Sequence, residues 1–330
     1  MEIRVSQMHR LMVSQVLHLR HRRPIYFMLK IMREGLNLAG VRFWTASLLP
    51  ACVGITLPIW LRPANFTFKL STAIEFLLAT VLLHAGFAFL WAWFENRSTK
   101  NWSQRSILLS AVTGIGLACL LGIHLNSNLQ LHVNVYRGIF LIYGICVLFI
   151  GALYVVPPLN FYRRMGGEIV LAYSLGLLPL LGAYLVQVGD LTRTVYLAAL
   201  PVVAITGLWV WLYEVTIYAA GGKSERQTLV TYLGIKCSGR VVVLSIAIIY
   251  LFTLLLAVFS ASLSPLALAA SLLLLSLGKI VIQTWHRYAI LAHMQSVRNL
   301  AAFLHGVTCC VLALSSLFVG ISGPFPIISW

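Results

Sequence analysis

The chain has 330 residues, 60% of them hydrophobic and only 10% charged, with a formal net charge of +16. A soluble domain carries roughly 25% charged residues, so this composition excludes a soluble globular fold and points to an all-α integral membrane protein. The positive charge calls for no nucleic acid, because no recognition module accompanies it and, as shown below, the basic residues follow a membrane topology.

Residues 1–42 form a basic arm. In "MEIRVSQMHRLMVSQVLHLRHRRP" the apolar residues Val5, Met8, Met12, Val16 and Leu19 recur at helical intervals, with Arg4, His9, Arg10 and Arg20 largely between them. That pattern suits an amphipathic helix lying on the membrane surface; a solvated basic tail is the simpler alternative. No short basic head followed by an apolar core marks a cleavable signal.

From residue 43 to 330 the chain reads as a single transmembrane domain. Apolar runs of about 20 residues cross a ~30 Å hydrocarbon core at 1.5 Å per residue. Nine such runs are expected, at about 43–61, 71–94, 106–124, 137–156, 168–187, 194–219, 239–260, 264–283 and 301–322. No alternating pattern long enough for a barrel strand occurs.

Threading the chain through nine spans places 20 of the 24 Lys and Arg residues on the side of the N-terminus, leaving Arg62, Lys69, Arg137 and Arg193 for the other. The positive-inside rule then predicts a multi-pass protein of the cytoplasmic (inner) membrane, N-terminus inside and C-terminus outside. The inner loops are longer and more polar, so any site is expected there. The six cysteines show no C-x-x-C and read as small buried hydrophobes.

Four inner-side segments taken together resemble one family. They are "RFWTASLLPACVG" (42–54), "FLWAWFENRSTKNWSQR" (89–105), "YVVPPLNFYRRMGGE" (154–168) and "AAGGKSERQTLVTYLG" (219–234). In order, spacing and span count they are similar to the UbiA superfamily of intramembrane prenyltransferases, nearest the branch that prenylates dihydroxynaphthoate. The resemblance covers residues 36 to 325, and 154–168 is its most specific part.

The resemblance implies a nine-helix bundle around a cavity capped on the cytoplasmic side. A polyprenyl diphosphate would sit there on Mg²⁺ ions held by two acidic motifs, N-D-x-x-D-x-x-x-D after the second helix and D-x-x-x-D after the sixth. Carboxylates three and four residues apart share a helical face, hard oxygen ligands suit Mg²⁺, and the ions neutralise the departing pyrophosphate.

This chain departs from that pattern. Laid on the first motif, Trp91 and Ala92 stand at the Asn-Asp pair, Glu95 at the second Asp and Thr99 at the third. Laid on the second, Ile217 and Gly221 replace the two aspartates, and Glu214 falls where an Asn usually precedes them. The whole chain holds eight acids and one aspartate, Asp190. Of the six acids on the inner side (Glu2, Glu34, Glu95, Glu168, Glu214 and Glu225), no two near the expected site are three or four residues apart.

The remnant acidic positions Glu95 and Glu214 are therefore either weak ligands for one cation or partners of nearby basic residues, Arg97 or Lys100 for Glu95. Arg105, Arg163, Arg164, Lys223 and Arg226 would line a phosphate rim, or simply serve topology and lipid headgroups. Tyr154 and Tyr162 would flank an aromatic or quinone ring, or anchor the interface. His84, inside the second span, is either an axial ligand to a pigment or a packing histidine.

Three functions stay open at this point. The first is a degenerate prenyltransferase relative without a resident cofactor, binding membrane lipids and an isoprenoid, quinone or pigment, as a subunit beside other membrane proteins. Aromatic-rich spans and the apolar tail "GPFPIISW" suit such partners. The second is an active polyprenyl-diphosphate:aromatic prenyltransferase using Mg²⁺ at a rebuilt site. The third is a transporter sharing only the span count.

Overall fold

The structure is a computed structural model and describes residues 30–63, 66–129, 134–221 and 226–321. Most of the proposed amphipathic arm, with Lys223, Glu225 and the C-terminal tail, lies outside the described residues.

Apolar chain in a bilayer must bond every backbone amide within its own segment, and the described residues obey this with helices and no strand. Among the described residues a short helix α1 (30–38) leads through a 3₁₀ turn at Val41–Phe43 into nine long apolar helices. These are α2 Trp44–Leu61, α3 Leu70–Phe94, α4 Gln104–Asn128, α5 Asn134–Val155 and α6 Gly167–Val188, followed by α7 Arg193–Ala219, α8 Leu229–Phe259, α9 Pro265–Arg287 and α10 Leu291–Ile321.

The bounds follow local chemistry. Ser103 caps α4 by accepting the Ser106 amide at 3.2 Å, and Thr228 caps α8 by accepting that of Thr231 at 3.4 Å. Helix α8 starts ten residues before the apolar run suggests, at Leu229 rather than 239, because it continues through a bend at Gly234 (φ 73°) and a π turn at Ser238–Val242. The π turn frees a carbonyl, and Trp211 Nε1 donates to that of Ser238 at 3.0 Å.

Helix α7 is the most enclosed. It packs against α8 and α10, while α2 packs against α6 and α10. Close approach of α2 and α6 depends on Gly54, where a Cβ would run into the Leu180 carbonyl oxygen. Helices α3 and α4 pair with each other, and with α5 they expose most of their residues, as lipid-facing helices do.

Loops 95–103 and 156–166, with residues 220–221 and 226–228, gather at the end of the bundle that carries α1. There Glu34 Oε2 accepts from Thr99 Oγ1 at 2.9 Å and Asn101 Nδ2 at 3.0 Å, and Trp102 Nε1 donates to the Ile31 carbonyl at 3.3 Å. Helix α1 is thereby fastened across the loop that follows α3.

Candidate functional site

The two remnant acids sit near helix C-termini at the α1 end, Glu95 just past α3 and Glu214 in the last turns of α7. Between them comes the segment 154–168. Helix α5 stops at Val155, the Pro157–Pro158 peptide is cis, Asn160 has φ 38°, and a 3₁₀ turn covers Phe161–Arg163. Gly166 at φ 90° then starts α6, a conformation that favours glycine. These turns aim Tyr162 and Arg163 into the bundle mouth.

Each acid is held by an arginine. Arg163 donates to Glu95 Oε1 from Nη2 at 2.9 Å and from Nε at 3.2 Å. The partner is thus Arg163, and not Arg97 or Lys100 as neighbourhood in sequence suggests; the Arg97 guanidinium instead stacks 3.8 Å over the Trp91 ring. Arg226 Nη2 donates to Glu214 Oε1 at 2.9 Å, with only 9% of the arginine side chain and 7% of the glutamate side chain exposed. Arg226 also donates to the Tyr162 carbonyl from Nη2 at 3.0 Å and Nε at 3.2 Å, and lies 3.9 Å over the Tyr162 ring.

These contacts set the electrostatics. Burial works against the charge on Arg226, but the Glu214 carboxylate together with Tyr162 and Tyr154 outweighs it and moves the guanidinium above its usual range. Burial likewise pushes the Tyr162 phenol up, against the pull of Arg226. Both arginines are therefore engaged cations facing engaged carboxylates.

Around them is an aromatic cluster. Tyr162 meets Trp91 edge-on with centroids 5.0 Å apart and Tyr154 at 6.1 Å. Leu153, Phe161, Ile169, Val170 and Leu177 help to line an apolar groove of about 450 Å³ between α5 and α6.

Of the residues expected at the site, Glu95, Tyr154, Tyr162, Arg163, Glu214 and Arg226 come together. Arg105 is exposed, and Arg164 turns away to donate to the Pro158 carbonyl at 2.6 Å. Lys223 is outside the described residues. His84 Nδ1 is 3.0 Å from Ser47 Oγ, a bond that ties α3 to α2.

Sequence reasoning named Trp91 only as a lost ligand and gave Glu168 no role. Glu168 is buried at the start of α6, where its Oε1 accepts the Val230 amide at 3.3 Å. The signal for it was available, since an acid opening an apolar span is costly unless it is used. Among the described residues no three His, Cys, Asp or Glu side chains group as metal ligands.

No sequence-family profile and no curated protein matches the chain. Solved structures do. A UbiA homolog from Archaeoglobus fulgidus bound to Cd²⁺ superposes with a TM-score of 0.61 at 15% identity, covering 84% of this chain and 98% of its own. A digeranylgeranylglyceryl phosphate synthase gives 0.61 at 10% identity over 88% and 99%. An apo UbiA homolog from Aeropyrum pernix K1 gives 0.60 at 18% identity over 84% and 98%. The Archaeoglobus homolog has also been solved with GPP and Mg²⁺, at a TM-score of 0.51, 15% identity and coverage of 84% and 99%. The expected UbiA-like bundle is the fold of this chain.

Proposed function

We propose that this chain keeps the UbiA prenyltransferase scaffold, has lost metal-dependent diphosphate chemistry, and serves to hold an isoprenoid or quinone-type lipid in the membrane. One observation carries the reading: the two acids that stand at or beside the ligand positions, Glu95 and Glu214, each bind an arginine.

The chemistry of the donor set argues against a Mg²⁺ pair here. Two such ions with a diphosphate need several anionic oxygens. Metal at Glu214 would displace Arg226 and leave that guanidinium buried without its counter-charge, which is strongly unfavourable. A diphosphate binding without metal meets the same obstacle, because drawing Arg163 or Arg226 away uncovers a carboxylate beside its own charge. The residues present do not fit the group that the fold family implies.

A holding role is supported by what remains. The apolar groove between α5 and α6 offers a place for a hydrocarbon chain, and the Trp91–Tyr162–Tyr154 cluster offers aromatic rings for an unsaturated or aromatic head. UbiA homologs of this fold bind GPP and DMAPP, isoprenoids with the head this site disfavours. The basic side, with 20 Lys and Arg against 4, supports a cytoplasmic N-terminus and a mouth at the inner leaflet.

The test is an assay of purified protein with Mg²⁺, a polyprenyl diphosphate and hydroxylated naphthoate or chlorophyllide acceptors, with mass spectrometry of lipids that co-purify. No prenylated product and a bound isoprenoid are expected. Turnover at ordinary enzymatic rates would establish the active prenyltransferase instead.

A further inference from the structure

No Asp or Glu occurs from residue 226 to 330, yet that stretch carries six Lys and Arg. Arg226 is committed to Glu214; the other five have no carboxylate partner among the described residues. Two of them, Lys236 and Arg240, stand four residues apart on α8, where that helix packs on the end of α9. The approach there is close, since a Cβ on Gly239 would lie 2.7 Å from that of Tyr288. Arg240 is fixed in the crevice. Its Nε donates to the Trp285 carbonyl at 2.7 Å, one of the carbonyls that the end of α9 leaves free. Its guanidinium faces the Tyr288 ring at 5.0 Å and the Trp285 ring at 5.5 Å. That bond uses Nε alone. Nη1 and Nη2 have no hydrogen-bond partner among the described residues, and the side chain is only partly buried.

We propose that the α8–α9 crevice docks the headgroup of an anionic phospholipid, with its phosphate on Arg240 and Lys236. The proposal stands apart from the holding role. A guanidinium held by its Nε and by two rings, with both NH₂ groups free, is pre-organised for the oxygens of a phosphate. Charge then selects the lipid. No carboxylate in this third of the chain opposes an anionic head. A choline head carries a cation that Lys236 and Arg240 repel, and the aromatic faces that could hold it are already taken by Arg240. Depth fits as well. Trp285, 39% exposed, and Tyr288 mark the level at which headgroups lie. Towards the bilayer centre the exposed Val241 and Ile248 of α8 and Ile282 of α9 offer apolar surface to acyl chains. Lys279, exposed on α9 about two turns before its end, is costly in hydrocarbon unless it snorkels to that same level.

Native mass spectrometry of the full chain tests this, using nanodiscs that mix phosphatidylglycerol and phosphatidylcholine with identical acyl chains. Phosphatidylglycerol should be retained about tenfold more tightly. In Arg240→Gln the preference should fall to within about twofold, and in Lys236→Gln to about threefold. Lys100→Gln removes an exposed cation on the loop after α3 and should leave the preference as it was. If Arg240→Gln fails to fold, Lys236→Gln decides, because Lys236 makes no hydrogen bond or ion pair among the described residues. Equal retention of the two lipids overturns the proposal. So does an equal loss in Lys100→Gln, the mark of diffuse charge rather than a site. Displacement of the lipid by glycerol 3-phosphate would assign the crevice to a free anion, and a dimer that Arg240→Gln dissociates would assign it to a second copy of the chain; either result overturns the lipid assignment.

Discussion

At the scale of single residues, the two acids at the α1 end, Glu95 and Glu214, each contact a guanidinium group, that of Arg163 and that of Arg226. The two pairs differ in weight. Glu95–Arg163 is partly open, with 39% of the arginine side chain exposed, and an ion pair in that setting contributes up to about 1 kcal/mol. Glu214–Arg226 is buried, and removing one partner strands the other. Arg226→Met should therefore destabilise the protein by about 3–5 kcal/mol in SDS titration. Adding Glu214→Gln should restore most of that loss, because the stranded charge is then gone. Equal loss in the single and double variants would mean that Arg226 acts chiefly through Tyr162. The arginine partners were not legible from the sequence. Arg163 is 68 positions from Glu95, and only the turns at Asn160 and Gly166 bring it back. The shortage of acids was legible without any structure, because it is a matter of composition.

At the scale of elements, hydropathy located all nine spans, since crossing a membrane leaves a long unbroken apolar signal. It failed where polar residues continue a helix beyond the apolar core. Helix α10 begins at Leu291, not near 301, because Gln295, Arg298 and Asn299 extend it on the loop-rich side. Helix α8 gains Leu229–Cys237 because it runs on through the bend at Gly234 and the π turn after it. Interhelical contact was not legible either, and there glycine decides. Gly54→Ala would drive a methyl group into the Leu180 carbonyl and separate α2 from α6, costing about 1–3 kcal/mol. A Cβ added at Gly116 would meet nothing within 4 Å, so Gly116→Ala should be neutral or stabilising by up to about 1 kcal/mol. Melting temperatures of the two variants in one detergent check the contrast; similar shifts would contradict the packing described for α2.

At the scale of the whole molecule, the bundle has one end built from three polar loops and α1, and the basic residues crowd that end. A cytoplasmic α1 end predicts that a fluorescent protein fused before residue 1 is active inside the cell. Alkaline phosphatase fused after residue 330 should be active outside. The reverse pattern would invert the bundle and put the candidate site on the far face. The fold was readable in the sequence through the nine spans and the segment 154–168, and the shortage of acids through the count of carboxylates. The arrangement of the mouth was not, since it depends on contacts among three loops that are distant in sequence.

Manganese electron paramagnetic resonance, with geranyl diphosphate present, probes the mouth most directly, because Mn²⁺ takes the oxygen ligands that Mg²⁺ does. The arginine-bound glutamates predict a spectrum of free aqueous Mn²⁺ at micromolar protein and metal. A coupled pair of bound ions that disappears in Glu95→Gln/Glu214→Gln would contradict the account.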